Sequence, residues 1–218
     1  MEQGFFITFE GGEGSGKTTQ INKLAASLAA QDHKVATTRE PGGTPEADVI
    51  RSLIVQKDGG DWTPMAEVLL LNAGRAQHVA QMITPALEEG KVVVCDRFTD
   101  STLAYQGYGH GIDLDRLREL NGYGAGEVVP DLTILLDIDP KDGIERTKRR
   151  GAAQALDVEQ MEDRFENLDM SFHEAVRQGV LEIAAAEPKR FVVLDAAQDV
   201  DELAADILQH VTKAMDKA

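Results

Sequence analysis

Phe5-Phe6-Ile7-Thr8-Phe9-Glu10-Gly11-Gly12-Glu13-Gly14-Ser15-Gly16-Lys17-Thr18-Thr19 passes from an apolar, strand-like segment directly into the pattern G-x-x-x-x-G-K-[ST]. Helical sequence over residues 20–30 follows. Each part has a physical use. Glycines let backbone N–H groups face inward around phosphate oxygens, and the helix behind them points its positive end at the same place. In such a loop, Lys17 reaches the β- and γ-phosphates and the Thr18 hydroxyl ligates Mg2+. The bland alternative is a Gly-rich turn that matches by accident, and the placement between strand and helix argues against it.

Outward from this loop, residues 35–40, 92–96, 132–138 and 190–196 are strand-length runs rich in Val, Ile, Phe or Leu without clean alternation. That predicts strands buried on both faces. The stretches between them have helical spacing, so the order β-α-β-α-β specifies a five-stranded parallel sheet with helices on both faces. Thr63-Pro64 starts one helix, in which Val68, Leu71, Arg75, Val79, Met82 and Ile83 recur until Glu89-Gly90 stops it. A second long helix is expected over residues 157–183, where Met161, Phe165, Leu168, Phe172, Val176, Val180 and Ile183 fall three or four apart. No repeat or linker divides the chain, so residues 1–218 read as a single domain.

Among the 218 residues, 22 Lys and Arg face 38 Asp and Glu, a net charge of −16. A protein that coats nucleic acid is excluded, because neutralising phosphates needs a basic surplus on some face. Small anionic ligands need only a local basic cluster. Cys95 is the single cysteine, so an intramolecular disulfide is impossible and a reducing cytoplasm is expected. The N-terminal run lacks a basic segment and meets Glu10 early, which reads as neither signal peptide nor membrane span.

A phosphate loop alone does not separate kinases, switches and motors. Thr38-Arg39-Glu40-Pro41-Gly42-Gly43-Thr44, with Arg51 on the next helix, follows the second strand. It lies where open α/β sheets bind ligands, although a plain charged turn would look the same. The third strand ends Val94-Cys95-Asp96-Arg97. An acid there has the form of a second Mg2+ ligand, and the adjacent arginine suits bidentate phosphate recognition or, more plainly, a surface ion pair. Ala104-Tyr105-Gln106-Gly107 places a ring and an amide just beyond, as a contact for base or sugar or as a packed loop. Glu145-Arg146-Thr147-Lys148-Arg149-Arg150 gathers cations that a helix C-terminus would also favour.

These motifs together resemble thymidylate kinases over nearly the whole chain: the phosphate loop, Thr38 to Thr44, Asp96-Arg97-Phe98 with Ser101, Ala104-Tyr105-Gln106-Gly107, Pro130-Asp131-Leu132, and Asp195-Ala196 before the last helix. The resemblance implies a P-loop NTPase fold of the nucleoside monophosphate kinase type. It also implies a phosphotransferase that moves the γ-phosphoryl of ATP to dTMP, with Mg2+, in dTTP synthesis. Carried over residue by residue, Gly11, Gly12, Glu13, Gly14, Ser15, Gly16, Lys17, Thr18 and Thr19 bind ATP, and Thr18 and Asp96 hold the metal. Glu13 lies near the acceptor's sugar, Arg39 and Arg97 grip its phosphate, and Ser101 belongs to the same motif. Arg51 approaches that phosphate, and Arg75 the thymine. Tyr105 and Gln106 pack against the deoxyribose and disfavour a 2′-hydroxyl.

The variable loop positions Gly12, Glu13, Gly14 and Ser15 carry no cation. The resemblance therefore implies that a lid at about residues 146–165 supplies one, through Arg146 toward ATP and through Arg149, Arg150 or Arg164 toward the transferring phosphoryl. Leu71 departs from the family, which commonly stacks an aromatic ring on thymine there. Dispersion from leucine lacks the roughly 0.5–1.5 kcal/mol that ring geometry adds. A kinase for another nucleotide such as dUMP is therefore the nearest alternative. A GTPase switch is the more distant one: Asn22-Lys23 is followed by Leu24-Ala25 and not by the guanine motif. An ionised acceptor phosphate needs no general base, so Lys17 and Arg97 join the lid arginines as catalytic candidates and no histidine does. His33, His78, His110, His173 and His210 share no metal-ligand spacing. The helix over residues 63–89 carries more apolar positions than one face needs. That suits a homodimer, as usual in the family, or simple burial on the sheet.

Overall fold

The computed structural model describes residues 4–56, 59–154 and 168–217. The strands β1 (Phe5–Glu10), β2 (Val35–Arg39), β3 (Val92–Asp96), β4 (Leu132–Asp137) and β5 (Phe191–Asp195) form one parallel sheet in the order β2-β3-β1-β4-β5. The helices are α1 (Lys17–Ala29), α2 (Pro45–Val55), α3 (Pro64–His78), α4 (Thr84–Glu88), α5 (Thr99–Thr102), α6 (Leu114–Ala125), α7 (Pro140–Gln154), α8 (Met170–Ala186) and α9 (Val200–Met215). Phe5 pairs with Val92 and Ile7 with Leu132, so β1 lies at the centre. Its C-terminal end, where the phosphate loop begins, opens into the crevice that such sheets offer to ligands.

Alternation along β1 sends its side chains into two cores. Phe5, Ile7 and Phe9 pack with Ile21, Leu24 and Leu28 of α1 and Leu203, Ile207 and Val211 of α9. Phe6 turns to the other face, against Val79, Ile83 and Phe98. Burying each of these side chains fully contributes about 1.5–3 kcal/mol before chain entropy is counted. On that second face Val68, Leu117, Leu135, Val176 and Val180 tie α3, α6, β4 and α8 together. Burial on both faces holds for β1, β3 and β4 but not for β2 and β5, whose exposed and half-buried residues mark them as sheet edges with a neighbour on one side.

Local signals account for most boundaries. Thr63 accepts the Ala66 N–H and Pro64 opens α3. The helix continues through a π-helical segment, Val79–Ile83, into α4, and the wide turn lies just ahead of Pro85, which has no N–H to offer. Helix α1 starts at Lys17, three residues before the expected 20, so Lys17 and Thr18 lie in its first turn. The helix expected over 157–183 is corrected: α8 begins only at Met170, behind an extended Asp169 with φ −60° and ψ 149°. The extended backbone at Asp169, whose side chain makes no cap bond, interrupts the helix that apolar periodicity alone would run through it. Leu168 stands before the helix, and Met161, Arg164 and Phe165 lie outside the described residues.

Candidate active site

At the C-terminal ends of β1, β2 and β3 lies a cavity of about 300 Å3. Its walls include the phosphate loop from Glu13 to Thr19, and also Arg39, Arg51, Leu71, Arg75, Asp96, Arg97, Ser101, Tyr105 and Gln106. The structure thus brings together residues that the sequence scatters over five stretches.

The loop holds its own lysine. The Lys17 ammonium donates to the carbonyls of Gly11 at 3.0 Å and Gly12 at 3.1 Å. Burial, and then the Arg97 charge, lower its pKa. Gly14 has φ 69°, and a Cβ built there would meet the Gly143 carbonyl oxygen at 2.0 Å. Helix α7 therefore rests on the loop main chain to main chain, at a separation that only glycine allows.

The hydroxyl of Thr18 lies 3.5 Å from Asp96 Oδ2, and Asp96 Oδ1 is buried without a hydrogen-bond partner among the described residues. Ser15 Oγ in the loop is unpartnered and buried too. Buried polar atoms left open are costly unless something completes them. A hard cation between hydroxyl and carboxylate, with phosphate oxygens beside it, fits the Thr18 and Asp96 set.

Arg97 follows Asp96 in the left-handed region, φ 69°, where a side-chain-bearing residue costs about 1–2 kcal/mol. Such outliers persist where the surroundings over-determine them. The Arg97 N–H donates to the Phe9 carbonyl at 2.9 Å. Its guanidinium donates to Glu13 Oε1 at 2.8 Å, to the Tyr105 hydroxyl oxygen at 3.0 Å and to Ser101 Oγ at 3.1 Å, and lies over the Tyr105 ring at 4.9 Å. Tyr105 in turn donates its proton to Glu13 at 3.1 Å. The segment Leu103–Gly109 that carries Tyr105 and Gln106 is a π-helical turn and not an open loop, which aims both side chains into the cavity they line.

Burial alone would raise the Glu13 carboxyl, but the charges of Arg97 and Lys17 and the Tyr105 hydroxyl outweigh it and bring the pKa down to about 2. The fold therefore favours ionised Glu13. That contribution is fully present above the ordinary value of 4.5 and is lost as pH falls toward about 2. The thermal midpoint is expected to drop across that window, and to drop less steeply in Glu13→Gln. Equal slopes in the two proteins would sink this account.

Arg75 lines the cavity but has its donors engaged: with Glu40 at 2.8 Å, Asn72 at 2.8 Å, Asn121 at 2.9 Å, Thr102 at 2.9 Å and the Phe98 carbonyl at 3.4 Å. It braces the wall, and reaching a base would require exchanging one of these bonds, the long one to Phe98 first. Behind it, His78 bridges Glu40 at 3.0 Å and Thr38 at 2.7 Å. Gln106 donates its amide nitrogen to buried Glu67 at 2.7 Å. A carboxylate only accepts, so the amide nitrogen is the end turned to Glu67. Arg39 is exposed, 3.5 Å from Asp48, and Arg51 donates to the Pro41 carbonyl at 2.7 Å.

The basic run lies on α7. Arg146 donates to the Ala196 carbonyl at 2.9 Å, next to the loop after β5, and exposed Arg149 pairs with Glu145 one turn back. Arg150 lies in the same helix, and Arg164 lies outside the described residues. Sequence reasoning missed Glu10, Glu40, Glu67 and Asn121. For Glu10 the one available signal was a carboxylate ending an otherwise apolar strand.

The sequence matches the family described as thymidylate kinase over residues 9–207. A thymidylate kinase of Deinococcus radiodurans is 47% identical over 213 residues, covering 98% of each chain. One of Geobacter sulfurreducens is 50% identical over 208 residues, covering 94% of this chain and 96% of the relative. The crystal structure of thymidylate kinase from Ehrlichia chaffeensis superposes with a TM-score of 0.75 at 34% identity, covering 96% of this chain and 99% of that one. With the phosphate loop, the crevice and near-complete coverage in agreement, the chain belongs to the thymidylate kinase family.

Proposed function

We propose that this chain transfers the γ-phosphoryl group of ATP to the 5′-phosphate of dTMP, giving dTDP and ADP. One observation carries the reading: a single cavity has the phosphate loop as one wall and Arg97, Arg39, Gln106 and Leu71 in the others. Two anionic substrates can meet there head to head. Phosphoryl transfer asks mainly for alignment and charge neutralisation, which Lys17, the loop N–H groups and Arg97 would supply without a base. Thr18 and Asp96 would hold Mg2+, which when bound offsets charge on the β- and γ-phosphates. The arginines of α7 would close over the pair and exclude water; of the lid expected at about residues 146–165, the part beyond Gln154 lies outside the described residues.

The amide oxygen of Gln106 matches a pyrimidine that offers N3–H, as thymine and uracil do, and opposes cytosine, whose N3 is an acceptor. The nucleotide alternatives of the sequence gain nothing from the relatives above, all named for thymidylate. We read residues 1–218 as one domain. We also propose a cytoplasmic homodimer, with exposed Leu69 on α3 and Val49 on α2 as positions a second copy would cover. Among the described residues no helix is long and apolar enough to cross a membrane.

Coupled measurement of ADP release with dTMP, dUMP, the ribose analogue of dTMP, dCMP and dGMP tests the assignment, with dTMP expected to be preferred. Preference for a purine would refute it. In Glu67→Gln the Gln106 amide is free to turn over, and discrimination of dTMP from dCMP is expected to fall by about 10-fold or more.

A further inference from the structure

Glu10 is almost wholly buried at the end of β1, one residue before the phosphate loop. One carboxylate oxygen accepts the Phe98 N–H at 2.9 Å, and the other accepts the Ser101 hydroxyl at 2.5 Å. Ser101 Oγ is the atom to which Arg97 donates at 3.1 Å. One carboxylate therefore holds the left-handed Arg97 twice: through the main chain that follows it, and through the hydroxyl that touches its guanidinium.

We propose that Glu10 is a positioning residue for the transfer, fixing Arg97 at a set distance from the phosphate loop that begins one residue later. The inference rests on the reading that Arg97 grips the acceptor phosphate. Among the described residues, the Phe9 carbonyl and the Cys95 thiol hold only the Arg97 main chain, Glu13 and Tyr105 hold only the far side of the guanidinium, and Phe98 is fully buried, so its N–H depends on Glu10. Burial, with Asp100 adding to it and Arg97, Ser101 and Phe98 opposing, pushes the Glu10 carboxyl up to about 7. Assays at about pH 8.5 keep it ionised.

Glu10→Gln keeps an acceptor for Phe98 but not the oxygen that takes the Ser101 hydroxyl, and Ser101→Ala removes the relay from its other end. Each is expected to lower kcat/KM for dTMP by about 10- to 100-fold. ADP affinity, read by calorimetry, is expected to stay within about twofold, and the double variant to lose no more than about twofold beyond the worse single one. Losses that multiply, ADP affinity that falls in step with turnover, or wild-type kcat/KM in Glu10→Gln would overturn the proposal. Should Glu10→Gln melt below the assay temperature, Ser101→Ala alone decides, since unchanged dTMP turnover would remove the relay. A wild-type protein inactive on dTMP would refute the proposed function itself. Active wild type with an unaffected Glu10→Gln would refute only the role of Glu10.

Discussion

Alanine at Arg97 is expected to cut kcat/KM for dTMP by about 10³-fold or more, with KM for ATP within about threefold. The guanidinium lines the cavity together with Arg39, Arg51 and Arg75, and its planar fork suits two phosphate oxygens at once. Lysine at this position is not expected to rescue, because a single ammonium cannot reproduce contacts to Glu13, Tyr105 and Ser101 while also meeting phosphate. Backbone strain gives an independent readout. With φ 69° at this position, Arg97→Gly should be more stable than Arg97→Ala by about 1 kcal/mol, since glycine adopts the left-handed region freely. Steady-state kinetics and thermal melts of the three variants check both statements. Turnover within about tenfold of wild type for Arg97→Ala would remove Arg97 from the acceptor site.

The second large effect concerns α7. Arg149→Ala or Arg150→Ala is expected to lower kcat by about 10³-fold while ATP affinity changes little, since a lid arginine acts on charge that develops during transfer. Arg149 is exposed and paired with Glu145, and an exposed pair of this kind is worth at most about 1 kcal/mol, so little holds it away from a substrate. Arg146 should behave differently. Its bond to the Ala196 carbonyl places it beside the loop after β5, and its removal is expected to raise KM for ATP more than it lowers kcat. If single alanines at Arg146, Arg149, Arg150 and Arg164 all left turnover within about threefold, the lid reading would be wrong.

What could be read in advance was what is local in the chain. The phosphate loop declares itself within nine residues, and Thr63-Pro64 marks a helix start with a cap and a proline. Asp96 and Arg97 stand out because they end an apolar run. The supporting groups do not, because their partners are remote: Glu10 meets Phe98 and Ser101 across separations of 88 and 91 residues. The bonds from Glu40 to Arg75 and His78 span 35 and 38. A buried carboxylate and a surface one look alike in sequence until the fold supplies the donor. The same blindness explains the helix drawn through Asp169, where apolar periodicity continued although the backbone did not, and the edge strands β2 and β5, whose composition resembles that of the central ones.

Where α7 crosses the phosphate loop, Gly143 and Glu13 touch through main chain alone: a Cβ added to Gly143 would stand 2.3 Å from the Glu13 carbonyl oxygen. The bearing on which the arginine-carrying helix is mounted is thus made of peptide groups, whose dimensions no substitution elsewhere can alter. Side chains farther along α7 can change in size or charge without resetting the distance from helix axis to loop. A single methyl group at Gly143 would shift the whole lever.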